Sequence, residues 1–210
     1  MSDFSPPTPT PVLPLERLEA SYSYTAYRQL VDDLLAQGKT TGPQQTEELV
    51  QYTKLNEQRM SRLDKTTHVL PALADAAVHV PYPLVWLILT EGWCGDAAQI
   101  VPVLEHVAEA SAGNIRTRYL LRDENLDLMD RYLTGTSRAI PRLIVLRADT
   151  LKEVAQWGPR PAPAQELLLR LKAEGLSHEE YVTQIHTWYA HDKTQTLQQE
   201  MLELLQSLPR

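Results

Sequence analysis

The chain has 210 residues and a mass of 23.8 kDa, enough for one decorated domain or a domain with a small helical unit attached. It is 43% hydrophobic and 22% charged, the balance of a soluble globular protein, and its net charge of −7 offers nothing to a nucleic acid or an anionic membrane. No apolar run approaches the ~18 residues of a spanning helix, the start lacks the basic and apolar regions of a secretory signal, and one cysteine cannot close an internal disulfide, so the sequence reads as cytoplasmic.

Residues 1–14 carry five prolines and little to bury, which predicts a disordered tail. A helical extension follows over residues 15–80. Within it, Tyr24, Tyr27, Val31 and Leu34 recur at helical spacing from Ser21 to Gln37, with Gly38 as the stop. A second, mostly solvated helix is expected from Gln44 to Asp64, and a short one from Pro71 to Val78. Pro81-Tyr82-Pro83 then breaks the chain before the most apolar run, Leu84 to Leu89, which predicts a buried strand.

Residues 81–176 alternate between strand and helix patterns. After the apolar strand come a helix over 94–111, a strand from Ile115 to Leu121, and a helix after Asp123 with the stripe Leu126, Met129, Leu133. A strand over 142–147, a turn, a strand from Val154 to Trp157 and a helix from Ala164 to Glu174 complete the series. Such an order predicts an α/β fold with a mixed sheet. From residue 177 onward, Ser177-His178-Glu179-Glu180 comes close to a capping box and opens one long helix carrying Tyr181, Ile185 and Trp188. That apolar stripe must pack on the chain itself or on a second copy, so a homodimer is one of its two outcomes.

The candidate site lies at the end of the apolar strand. Trp93-Cys94-Gly95-Asp96 holds the single cysteine at a strand-to-helix turn. The first N–H groups of a helix lack intrahelical partners, and the macrodipole adds partial positive charge there, so a thiol at this point is biased toward thiolate. On that basis Cys94 is expected to titrate modestly below the free-cysteine value of ~8.5. Asp96 in the first helical turn opposes thiolate. The alternative for Cys94 is a buried space-filler, and for Asp96 plain helix stabilisation. The six histidines show no metal-ligand spacing, so no metal site is expected.

A strand, then Trp93-Cys94-Gly95, then a helix with Pro102 resembles the thioredoxin family, as do Ile140-Pro141 before a strand and Gly158 after the last one. The resemblance covers roughly residues 83 to 175. Together with Arg122-Asp123-Glu124-Asn125 and Trp157-Gly158-Pro159-Arg160-Pro161, these motifs are similar to a bacterial subgroup of small thioredoxin-like proteins. The resemblance implies a thioredoxin-like mixed sheet flanked by helices, with added N-terminal helices and a long C-terminal helix. It implies a cis bond before Pro141, with Ile140 offering backbone to an extended partner. It also brings Arg138, Arg142 and Arg160 toward the thiol.

Departures from the family pattern narrow the activity. Its second cysteine corresponds to Ala97, its buried acid to Ile88, and the lysine partner of that acid to Tyr119. A dithiol reductase is therefore not expected. The reading that remains is single-cysteine thiol chemistry in redox homeostasis, with glutathione as co-substrate or a client protein as partner. A non-catalytic module binding an extended peptide beside Pro141 is the alternative from another class. An iron–sulfur carrier with Cys94 and glutathione as ligands ranks last, because Asp96-Ala97 departs from the usual Phe-Ser. Cys94 is the expected catalytic residue, with Trp93, Gly95, Asp96, Arg138, Ile140, Pro141, Gly158 and Arg160 as binding residues.

Overall fold

The computed structural model describes residues 11–209, and the part of the proline-rich tail at residues 1–10 lies outside them. Among the described residues, the part of the expected tail at 11–14 is anchored. Val12 and Leu13 are buried, Val12 N–H donates to the Leu151 carbonyl at 3.0 Å, and Arg131 donates to the Val12 carbonyl at 2.7 Å. Two apolar side chains among the prolines suffice to anchor the segment. Helix α1 (Leu15–Glu19) follows, where Arg17 forks onto Asn125 and Asp127.

Helix α2 (Tyr24–Ala36) starts at Ser23, whose hydroxyl accepts from Ala26 N–H, and buries Tyr27 and Val31. Helix α3 (Glu47–Thr66) is capped by Thr46 in the same way. Thr53, Asn56, Met60 and Leu63 are buried along one stripe that lies against the cysteine helix, while the rest of the helix is exposed or half-buried. Two of those four residues are polar, so hydrophobic spacing marks only Met60 and Leu63 of the buried stripe. Helix α4 (Pro71–Val78) has Pro71 in its first turn, where the missing N–H costs nothing.

Strand β1 (Leu84–Thr90) is buried at all seven positions, as a strand covered on both faces must be. Helix α5 (Gly95–Ala110) crosses over to β2 (Ile115–Leu121), which pairs parallel with β1, Trp86 opposite Thr117. The helix expected after Asp123 is shorter than its stripe suggested. A 3₁₀ turn at Arg122–Glu124 and one turn of α6 (Leu126–Met129) are all that form, and Leu133 is exposed. Strands β3 (Arg142–Arg147) and β4 (Glu153–Trp157) then add antiparallel, giving the order β2-β1-β3-β4.

Helix α7 (Ala162–Ala173) precedes α8 (His178–Asp192), which opens on a complete capping box between Ser177 and Glu180. The single long C-terminal helix is in fact two. Lys193 and Thr194 take left-handed conformations, with φ of 50° and 68°, and α9 (Gln195–Gln206) turns back onto α4. Asp192 accepts from the Thr196 N–H and hydroxyl and so caps the new helix. Glu200 of α9 accepts from Trp157 Nε1 at 2.6 Å and from Ala162 N–H at 2.7 Å, fastening it to the end of the sheet. Ile185, Tyr189, Leu197, Met201 and Leu205 join the main core, so the stripe packs on its own chain. No helix among the described residues is long and apolar enough to cross a membrane.

Candidate functional site

Because β1 ends at Thr90, the chain turns through Glu91-Gly92-Trp93 and delivers Cys94 to the N-cap of α5. Cys94 N–H donates to the Glu91 carbonyl at 3.1 Å, and the Sγ accepts from Ala97 N–H at 3.4 Å. The thiol in turn donates to the Ile140 carbonyl at 3.3 Å. The Ile140–Pro141 bond is cis, and Pro141 is buried at the start of β3. Asn56 of α3 fixes the turn from outside by donating to the Gly92 carbonyl at 3.0 Å, and it holds Arg59 through its own side-chain oxygen at 2.7 Å.

In the first turn of α5, Asp96 forms an ion pair with Arg160 at 2.5 Å, the two side chains only 12% and 17% exposed. Tyr189 of α8 donates its hydroxyl to the other carboxylate oxygen at 2.8 Å. The two residues expected to pull Cys94 in opposite directions therefore bind each other, and they anchor α8 across the N-terminus of α5. Next to them, His186 packs over Gly95. A Cβ on Gly95 would lie 2.8 Å from His186 Nε2 and 3.8 Å from Arg59 Nη1, so the glycine is the residue that admits this cover.

Between the sheet end and the two helices α3 and α8 lies a cavity of about 430 Å³. Six of the expected residues line it with Cys94: Trp93, Gly95, Asp96, Arg138, Ile140 and Arg160. Gly158 does not. It sits at φ 117°, where a Cβ would come within 2.4 Å of the Pro141 carbonyl oxygen, so its place is to let β4 pass the cis-proline turn. Pro141, buried beside it, does not line the cavity either. Arg138 is drawn to the rim by Asp130, at 2.6 Å and 2.9 Å. Arg142 turns away from the thiol to donate to the Gly158 carbonyl and Thr134. Arg122 stacks over Trp93 at 4.7 Å and pairs with Asp123.

Burial decides the electrostatics. Cys94 is 8% exposed, and burial, aided by the Asp96 charge, pushes its thiol up to about 12, against the pull of the Ala97 N–H and Arg160. The expected depression below the free-cysteine value is overturned. A helix terminus contributes up to ~1 kcal/mol at a partly exposed site, which is too little to offset this desolvation. Burial also raises the Asp96 carboxyl, opposed by Arg160, Tyr189 and Arg59. His186 is pushed down to about 4 by burial and by repulsion from Arg59 and Arg160, so it stands neutral over the site. Among the described residues, no group of three or more His, Cys, Asp or Glu side chains could hold a metal ion.

Sequence reasoning missed Asn56, Arg59, His186 and Tyr189. All four come from helices outside the expected sheet unit, and only the three-residue spacing of Thr53, Asn56 and Arg59 along α3 offered a signal.

A mixed four-stranded sheet with a cysteine capping the helix after β1, and a cis-proline entering β3 beside it, defines a thioredoxin-like protein. The sequence profile of a family described as Thioredoxin matches residues 42–180, and the chain belongs to that family. The match takes in α3 and the first residues of α8. Two solved structures share the fold at 14% identity. One is a protein of unknown function from Pseudomonas aeruginosa, with a TM-score of 0.59 over 90% of this chain and 94% of that one. The other is an HIV epitope scaffold, with a TM-score of 0.54 over 90% of this chain and 100% of that one. No curated protein gives a match.

Proposed function

We propose that this thioredoxin-family protein is a single-cysteine thiol protein of cell redox homeostasis, in which Cys94 forms a mixed disulfide with glutathione or a client protein. The observation that carries this reading is the position of Sγ: at a helix N-cap, 3.3 Å from the Ile140 carbonyl, on the wall of a cavity large enough for a small molecule. In the exchange, Cys94 Sγ attacks one sulfur of a disulfide RS–SR. The Sγ–S bond forms as the S–S bond breaks, and the thiol proton leaves with RSH, giving Cys94–S–SR and RSH. With Ala97 where a resolving cysteine would stand, the adduct persists until an outside thiol attacks it. A reducing cytoplasm would supply that thiol.

A second reading is favoured by one observation. The thiol is pushed up to about 12 and its proton is already committed to Ile140, as suits a structural cysteine in a non-catalytic interaction module. Incubation with excess oxidised glutathione at pH 8, followed by intact mass measurement, separates the two. A one-to-one adduct that is stable to gel filtration and released by dithiothreitol supports thiol chemistry. An unmodified Cys94 after prolonged incubation, in protein that is modified readily once unfolded, leaves the interaction module.

A further inference from the structure

We propose that the side of the cavity formed by α3, α7 and α8 is a binding site for the carboxylate end of a small anionic thiol or disulfide, with Arg59 of α3 and Lys172 of α7 as its charge partners. The inference rests on the thiol reading above and names the substrate class of that site. Five cations line the cavity: Arg59, Arg122, Arg138, Arg160 and Lys172. Three are already committed, Arg122 to Asp123, Arg138 to Asp130 and Arg160 to Asp96. Arg59 and Lys172 have no carboxylate within ion-pairing distance among the described residues. The acids that line the cavity are Asp96, already paired, and Glu48, exposed beside Tyr52. Uncommitted positive charge therefore faces the space beside the thiol.

The two cations differ in how they are held. Arg59 is partly buried, braced by Asn56, and its guanidinium reaches to within 3.8 Å of where a Cβ on Gly95 would stand, next door to Cys94. Lys172 is exposed, with its Nζ 5.2 Å above the Tyr181 ring at the mouth. An arginine without a partner in a partly desolvated wall binds a carboxylate more strongly than a surface arginine does, because less water must be displaced from it. The same cavity is lined by Leu55, Leu168, Val182 and Ile185, which suit an aliphatic segment rather than a second charge. The volume, about 430 Å³, holds a molecule of tripeptide size.

S-methylglutathione is the probe, since it carries two carboxylates and cannot react with Cys94. Isothermal titration at low salt should show one-to-one binding to the full chain. Affinity should fall at least 10-fold in Arg59→Gln/Lys172→Gln, remain unchanged in Lys152→Gln on the far side of the sheet, and fall at least 10-fold for the diethyl ester of the same probe on the wild type. The ester measurement holds even if the double variant folds poorly. No binding to the wild type, or equal binding of acid and ester, overturns the proposal. Binding without any modification of Cys94 by oxidised glutathione would keep this site and remove the thiol reading. Modification of Cys94 at equal rates by oxidised glutathione and a neutral disulfide, without probe binding, would do the reverse.

Discussion

His186 makes the seating of α8 dependent on pH. Its ring packs over Gly95, with Nδ1 3.4 Å from the Gln99 amide, and the charged groups that act on it are Arg59 and Arg160. Its pKa is pushed down from 6.5 to about 4, by burial first and the two cations second. Since the folded value lies below the unfolded one, the unfolded chain takes up the proton first as pH falls. The stability His186 contributes is therefore whole above pH 6.5 and is lost progressively down to about 4. At ~1.4 kcal/mol per pKa unit the full span is about 3 kcal/mol, of which roughly 2 kcal/mol disappears between pH 7 and pH 5. Glu91, Asp96 and Glu105 work the other way: burial raises their carboxyls, so the fold retains protons that the unfolded chain has lost. The readout is accordingly a difference between proteins and not the absolute profile. Urea denaturation of wild type and His186→Gln at pH 7 and pH 5 should show the wild type losing about 2 kcal/mol more than the variant on acidification. Equal losses in the two proteins would refute the argument.

Three further outcomes follow from the site. Arg160→Ala strands the Asp96 carboxylate in a buried position and should cost about 3–5 kcal/mol in urea denaturation, at least half of it recovered by adding Asp96→Asn. Asn56→Ala leaves the Gly92 carbonyl unpaired behind Cys94 and should cost about 1–3 kcal/mol by the same assay, with faster alkylation of Cys94. Gly158→Ala puts a Cβ at φ 117° and 2.4 Å from a backbone oxygen that cannot turn aside, and should lower stability by at least about 2 kcal/mol in thermal or urea unfolding.

The sheet was legible in the sequence because its signals are apolar and local. Leu84 to Leu89 is too continuous to be anything but a strand buried on both faces, and β2 and β3 fall on the residues their patterns mark. The turn at Cys94 was legible from the apolar strand that precedes it, whereas the cis bond before Pro141 came only from the family resemblance. What lay beyond reach is polar or non-local. The break between α8 and α9 falls at Lys193-Thr194, with neither glycine nor proline, and only the Asp192 side chain marks it. The buried face of α3 is half polar, so Asn56 and Thr53 read as solvent. Nor does any local pattern foretell that Tyr189 bonds to Asp96 across 93 positions. The thiol's acidity was misjudged on the same account, since it depends on cover from residues distant in sequence.

That dependence ties the chemistry of Cys94 to the position of α8. Asp96 acts twice: its charge disfavours the thiolate, and its carboxylate anchors the Tyr189 hydroxyl that seats the helix. Burial is the larger cause of the raised thiol pKa, and the same helix brings Ile185 and His186 to the cavity that Cys94 lines, with His186 packed over the neighbouring Gly95. Thiolate at Cys94 and a seated α8 are therefore mutually unfavourable, and linkage makes the penalty the same from either side: whatever factor α8 takes from the thiolate population, a thiolate takes from the docking of α8.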